Sequence, residues 1–494
     1  MTWYRKHIVL GMALLCCAAF SYGGSQTPDQ PNILFIFSDD QCWNTIGRVG
    51  GDVQTPALDR LVDEGTFFSH TYNQGAWQGA VCIASRTMLM TGLDVWKAGV
   101  YSSSDAQNPA DFWSTRFKEA GYKTYFAGKW HVMKISPNTI YDVTGTIQPG
   151  MPAYEDPSMG GEISWTVRAA GYFRPEAPGI DNWDPSDPQF GGFWKGGKHW
   201  SEVLGDEGVG FIEEAATSKQ PFFMQLAFNA PHDPRQAPKK YVDMYPLESI
   251  EVPENFMPEN PHMDAMEVGR GLRDEDLAPF PRSEHAIKTH RQEYFAIITH
   301  MDEQIARIIR ALEETGQRDN TIIVFTSDHG LAVGQHGLLG KQNMFEHSLK
   351  PPLLFVGNGI PRGKTIDTPV YMQDLMPTTL EMAGIEIPES VDFRSLLPVL
   401  EGRDDEQDRV MYGAYKNKQR MVLKQGKKLI WYPTSNTYLL FDIIEDPLEM
   451  NDLYANPAYA AVAMELMQEL KNQQALLNDP MLTGAAVTED GVVH

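Results

Sequence analysis

Six short segments, scattered along the chain, carry the residues able to do chemistry. Asp39 and Asp40 are adjacent carboxylates at the end of an apolar run. Two such charges repel, so a site that keeps both close together calls for a cation. Asp328-His329-Gly330 closes another apolar run in the same way. Together they supply three carboxylates and an imidazole, a set whose oxygens suit a hard divalent ion. Taken singly, each pair also reads as a capped turn. Cys82 has Arg86 four residues on; on a helical turn that spacing sets a cation near the thiol and lowers its pKa. Gly128-Lys129-Trp130-His131 offers a cation and a base two apart, on one face if the segment is extended. Pro231-His232-Asp233-Pro234 and Gly340-Lys341 add one more histidine and one more lysine.

These segments follow runs that read as strands. Residues 32–37, 123–127, 221–228, 321–326 and 353–357 are short, apolar and β-prone, and 66–72 has the same character. Between them lie helical patterns. Thr55-Pro56 opens one that stops at Gly65, and residues 285–314 carry apolar side chains by threes and fours, among them Ile287, Tyr294, Ile297, Met301, Ile305 and Leu312. Alternation over more than 300 residues argues for an α/β fold with a central, mostly parallel sheet flanked by helices. In such sheets ligands bind beyond the carboxyl ends of the strands, which is where the polar segments fall. Residues 137–198, rich in Gly, Pro and Trp, read as an elaborated loop region; Trp183, Trp194 and Trp200 suit sugar stacking or plain packing. From about residue 401 the pattern becomes short alternating strands at 410–415, 420–424, 427–432 and 438–443, then a helix with Ala461, Met464, Met467 and Leu470. That predicts a smaller C-terminal α+β domain with an antiparallel sheet over 401–494, beside a large domain over 30–400.

The bulk numbers narrow the partners. Of 494 residues, 41 are Lys or Arg and 65 are Asp or Glu, a net charge of −24. So acidic a chain is a poor match for a phosphate backbone, and no nucleic acid is expected as partner. An anionic substrate must be drawn by a local cluster of cations. Arg5, Lys6 and His7 precede an apolar run at 8–20 and then small residues to Gly24. This reads as a signal peptide over 1–24, too short for the about 20 apolar residues of a membrane span. The mature protein is then expected in the periplasm or outside the cell, with no membrane span. Cys16 and Cys17 lie in the leader, leaving Cys42 and Cys82. These form one bridge, or are two buried thiols, or Cys82 has a chemical role.

The ordered set resembles the type I, formylglycine-dependent sulfatases of the alkaline phosphatase superfamily. The likeness also rests on residues 55–61 (TPALDRL), 325–330 (FTSDHG), 334–337 (GQHG) with Lys341, and 440–442 (LFD) with Asp446-Pro447. It implies a large alkaline-phosphatase-like domain and that a maturase oxidises Cys82 to formylglycine. Ala84 stands where the family usually has Pro, which bears on which maturase acts. Asp39, Asp40, Asp328 and His329 map onto the metal ligands, with residue 82 a further one. Calcium is the usual ion, one per site; with an imidazole donor, magnesium or manganese stays open. In this mechanism one hydroxyl of the hydrated aldehyde attacks sulfur and the other expels sulfate. The resemblance further places Lys129 on the sulfate, Arg86 on the diol, His131 at the spare hydroxyl, and Lys341 and His232 at the bridging oxygen, His232 as general acid. His336 is a further candidate for substrate contact, or a loop histidine bonded to backbone. The expected function is a secreted sulfatase acting on a sulfated carbohydrate or polysaccharide fragment. Alternatives are a phosphonate or phosphodiester hydrolase on the same scaffold, and a non-catalytic anion- or glycan-binding relative.

Overall fold

A computed structural model describes residues 30–105, 107–152, 154–156, 162–164, 172, 177–180, 182–403 and 409–493. The leader expected at 1–24 lies outside the described residues.

Strand β1 (Asn32–Ser38) is buried along its whole length, as a strand covered on both faces must be. Its side chains alternate between two cores. Leu34 and Ile36 face one that contains α1 (Pro56–Glu64), while Ile33, Phe35 and Phe37 face the other. The remaining strands of the main sheet are β2 (Thr66–Phe68), β3 (Lys123–Lys129), β4 (Val143–Gln148), β5 (Phe222–Ala227), β6 (Thr321–Ser327), β7 (Leu353–Val356) and β8 (Lys364–Ile366). Their order is β8-β2-β7-β6-β1-β5-β3-β4. All pairings are parallel except those made by β7, so the sheet is mostly parallel as expected. Helix α2 (Val81–Thr91) carries Met88 in one core and Leu89 and Met90 in another. Helices α3 (Trp200–Ala215) and α4 (Glu284–Glu314) cover the Leu34 face, α4 through Ile297, Met301, Ile305 and Ile308.

Helix α1 has no side-chain cap of its own at Thr55. Asp302, projecting from α4, accepts from the Ala57 and Leu58 amides at 2.8 Å each. One carboxylate thus satisfies two of the four orphan donors of that helix end and ties it to the long helix.

The C-terminal sheet holds β9 (Met411–Tyr415), β10 (Gln419–Lys424), β11 (Lys427–Tyr432) and β12 (Thr437–Asp442), joined as antiparallel hairpins, with α5 (Ala460–Leu476) packed against it. A fifth, two-residue strand, Gly75–Ala76, comes from the N-terminal part of the chain and pairs in parallel with β9.

Two local expectations are corrected, and the alternative left open for Trp183 and Trp200 falls to packing. The stretch 66–72 is two strands, β2 and Thr71–Tyr72, in different sheets, because the chain turns at Ser69-His70. The supposed loop region 137–198 begins with a helical turn, Pro137–Ile140, and then β4, which is the edge of the main sheet. Only one side of an edge strand needs a partner, and no residue of VTGTIQ is buried, so it lacks the apolar run that marks its neighbours. Trp200 belongs to the core rather than to an open sugar platform, and Trp183 donates its indole to Glu293 at 2.8 Å.

Candidate active site

β6, β1, β5 and β3 are consecutive neighbours running the same way, with Ser327 opposite Ser38, Phe37 opposite Ala227 and Ala227 opposite Gly128. Residues at or shortly past their ends therefore fall side by side: Asp328-His329, Asp39-Asp40, His232 and Lys129-Trp130-His131. Gly128 makes the close spacing possible. Its φ is +98°, and a Cβ there would sit 1.9 Å from the Ala227 carbonyl oxygen.

Cys82, second residue of α2, is brought to this row. Ligand atoms of Asp39, Asp40, Cys82, Asp328 and His329 all lie within 4.8 Å of one another, and all five residues are buried. The Asp40 amide donates to Asp328 Oδ1 at 3.1 Å. Three cations meet the three carboxylates. Arg86 donates to Asp328 Oδ2 at 3.1 Å, to the Lys129 carbonyl at 2.9 Å and to Asp39 Oδ1 at 3.5 Å. Lys129 is bonded to Asp39. Lys341 reaches both oxygens of Asp40 at 2.6 and 2.8 Å and Cys82 Sγ at 3.2 Å.

Cys42 and Cys82 are free and buried, so there is no Cys42–Cys82 bridge. The expected lowering of the Cys82 pKa is overturned. Burial raises it, and the nearby Lys129 and Lys341 only oppose that rise. Arg86 is directed at the carboxylates and the Lys129 carbonyl instead of the thiol.

Burial and the Asp328 charge hold the Asp39 carboxyl well above its usual range. For Asp40 burial acts in the same sense, but Lys341, His232 and His329 outweigh it and the carboxyl is held low. Asp328 is likewise held low, its burial outweighed by His329 and Arg86.

His329 bears on metal binding. Its Nδ1 lies 2.9 Å from the Gly330 carbonyl oxygen, which can only accept. The neutral ring with its proton on Nδ1 then turns the Nε2 lone pair toward Cys82 Sγ at 3.3 Å, Asp40 Oδ1 at 3.3 Å and Asp328 Oδ1 at 3.5 Å. Facing two carboxylate oxygens, that nitrogen calls for positive charge between them, either a second proton on the ring or a bound cation. An orienting bond on the far nitrogen is also the usual support of a metal-binding imidazole. The donor set, three carboxylates and one nitrogen around a buried point, fits a divalent ion.

His232 donates from Nδ1 to the Asp233 carbonyl at 2.8 Å, which turns its Nε2 toward Asp40 Oδ2, 3.8 Å away. His131 has φ +54° and a ring packed under Gly150; burial, then Lys129 and Arg86, hold its pKa well below the ordinary value. His336 is placed elsewhere. It stacks on Phe345 at 4.2 Å and its Nε2 lies 3.2 Å from the Glu449 carbonyl, the geometry of a loop histidine bonded to backbone.

The family described as sulfatase matches residues 31–385. The chain belongs to the sulfatase family. A second description, N-sulphoglucosamine sulphohydrolase, C-terminal, matches residues 334–476 of this sulfatase. A sulfatase of Formosa agariphila is 29% identical over 467 residues, covering 90% of this chain and 87% of the relative. An N-acetylglucosamine-6-O-sulfatase of Bacteroides thetaiotaomicron is 25% identical over 547 residues, covering 96% and 91%. Among solved structures, a phosphonate monoester hydrolase from Silicibacter pomeroyi superposes with a TM-score of 0.71 at 22% identity, covering 94% of this chain and 99% of that one; it shares the fold. This sulfatase is thus a sulfuric ester hydrolase of alkaline-phosphatase-like fold.

Several residues of the site carried no sequence signal. Asn73 and Ser85 both donate to the Asp328 carbonyl, at 2.5 and 2.7 Å. Tyr294, read only as a core position of α4, donates its hydroxyl to the Asp40 carbonyl at 2.6 Å and accepts the Cys42 amide at 2.9 Å. An amphipathic pattern reports that Tyr294 is inward, not that its oxygen ends on the backbone of the Asp40–Cys42 turn. Among the described residues no helix is long and apolar enough to cross a membrane.

Proposed function

We propose that this sulfatase hydrolyses sulfate esters of a sulfated carbohydrate outside the cytoplasm, with residue 82, converted by a maturase to formylglycine, as nucleophile. The observation that carries this reading is the convergence of four acidic or imidazole ligands on the Cys82 side chain. Asp39, Asp40, Asp328 and His329 would hold one divalent cation, calcium by its preference for oxygen donors. Such an ion polarises sulfate oxygens and offsets developing charge. The hydrated aldehyde offers a hydroxyl for attack and a second for release, which a serine lacks.

The chain's own side chains do the rest. Arg86, Lys129 and Lys341 match the three carboxylates in charge, so a bound divalent ion leaves the site positive, as an anionic ester requires. Lys129 and Lys341 are placed to bind sulfate oxygens, and Arg86 holds Asp328 and the end of β3 in place. Lys341 and His232 both face the Asp40 carboxylate and would serve the bridging oxygen. Burial lowers the His232 pKa to about 4 even with the Asp40 and Asp233 carboxylates nearby, so the ring would enter as proton donor only when the bound sulfate ester adds its own negative charge. His131, kept neutral, is suited to take a proton from the spare hydroxyl. The carbohydrate assignment is supported by the B. thetaiotaomicron relative, whose name specifies a sulfated amino sugar.

The test is release of inorganic sulfate from defined sulfated mono- and oligosaccharides, with inorganic phosphate release from phosphonate monoesters and phosphodiesters in parallel. Sulfate release, lost in Cys82→Ala, is expected. Phosphate release alone would replace the reading with that of a phosphonate or phosphodiester hydrolase.

A further inference from the structure

Between His232 and Lys341 runs a set of contacts that the mechanism above does not use. Arg273 lies on the segment before α4. Its guanidinium forks onto Asp233, one arm at 3.0 Å, and the same nitrogen reaches Asp274 Oδ1 at 2.6 Å. Asp233 Oδ1 lies 3.2 Å from His232 Nδ1, the nitrogen already bonded to the Asp233 carbonyl. On the other side Gln342 donates to Asp274 Oδ2 at 2.8 Å and accepts the Lys341 amide at 3.1 Å. Asp233, Asp274, Gln342, His232 and Lys341 are all buried, and Arg273 alone is partly open.

We infer that Arg273 is a positioning residue for the leaving-group side of the site, acting through Asp233 on His232 and through Asp274 and Gln342 on Lys341. It deepens the reading of His232 as proton donor and rests on it. Imidazole orientation is set by what its other nitrogen bonds. Here that nitrogen is held by one residue's carbonyl and carboxylate together, and the carboxylate is pinned by a planar two-armed donor. A lysine would keep the charge but not the fork. The aim of His232 Nε2 toward Asp40 therefore depends on the shape of the guanidinium as well as its charge.

The test uses the full-length, modified, metal-loaded enzyme and a series of substituted phenyl sulfates from 4-nitrophenyl to 4-methoxyphenyl, whose leaving groups need progressively more help from an acid. Arg273→Lys is expected to steepen the dependence of kcat/KM on leaving-group pKa. The loss should be about 10–100-fold at the poor end, the size seen for partners that orient a metal-binding imidazole, and severalfold smaller at the nitrophenyl end. Asp233→Asn, which keeps the side-chain shape, should steepen it in the same direction and serves if the lysine variant does not fold. In the double variant with His232→Ala, Arg273→Lys should cost clearly less than it does alone, the remainder being the share carried through Lys341, the non-additivity of residues acting through a shared partner. An equal loss along the whole series, or full additivity with His232→Ala, overturns the inference. If His232→Ala itself shows no leaving-group dependence, the proton-donor reading is what fails.

Discussion

Lys428 of β11 is fully buried between two carboxylates, Glu346 at 2.9 Å and Glu449 at 2.8 Å. Glu346 follows the loop that carries Lys341. It also accepts from Tyr72 at 2.9 Å and pairs with Lys350 at 3.2 Å, so one ammonium ties the C-terminal sheet to the loops around the site. At an effective dielectric near 20, each 2.8–2.9 Å contact carries about 6 kcal/mol of gross attraction, most of it offset by desolvation. Removing one partner leaves the others charged and buried, and that typically costs about 3–5 kcal/mol out of a total stability of about 5–15 kcal/mol. Lys428→Met is therefore expected to lower the urea midpoint sharply at pH 8. Burial raises the Glu449 pKa to about 7, against the pull of Lys428, whereas Glu346 is held down at about 2 because Lys428 and Lys350 outweigh its burial. Without the lysine both carboxyls rise, and each takes a proton in the folded state as pH falls. A group with a raised folded pKa stabilises below its unfolded value and loses that contribution as pH rises, so the cost of Lys428→Met should shrink between pH 8 and pH 5. Glu449→Gln alone, which removes a carboxylate that burial already disfavours, should cost under about 1 kcal/mol, and combined with Lys428→Met it should restore part of the loss. Urea melts at both pH values, read by circular dichroism, are the assay. A Lys428→Met cost below about 1 kcal/mol, or one that grows as pH falls, would refute the reasoning.

The remaining expectations are shorter. Asp302→Ala removes the cap that α4 lends to α1 and should cost about 1–2 kcal/mol; burial holds the Asp302 carboxyl at about 7, so wild-type stability should fall as pH rises through 7 and do so less in Asp302→Asn, measured by thermal melts across pH 5–8. Gly128→Ala puts a methyl into the Ala227 carbonyl and should destabilise by more than about 1 kcal/mol, with soluble yield and melting temperature as readouts. Chelation should lower both activity and melting temperature, since Asp39, Asp40 and Asp328 are left with their mutual repulsion; unchanged values together with no metal by elemental analysis would remove the cation from the site. Cys82→Ala should keep the melting temperature within a few degrees and abolish sulfate release.

Much of this protein is written in local pattern. Short β-prone runs such as NILFIF and TIIVFT read as buried strands, and the polar residues directly after them fall at strand ends, so Asp39, Asp40 and Asp328 could be grouped as candidates, with the family resemblance joining them into one site. Periodicity over 285–314 likewise marks α4 and its inward face. Tertiary structure decided what depends on partners distant in sequence. β1 sits between β5 and β6, deep in the sheet, and nothing in its own residues names those neighbours. β4 was hidden because an edge strand needs no apolar run, and Gly75–Ala76 because two residues carry no pattern. The Cys82 pKa went the other way from expectation because Arg86, adjacent on the helix, found carboxylates to bond, leaving burial to dominate the thiol. The same holds for Tyr294, Arg273 and Lys428. Composition and spacing report which face a side chain occupies, but the atom its polar end meets is fixed only when strands and loops hundreds of residues apart are set in register.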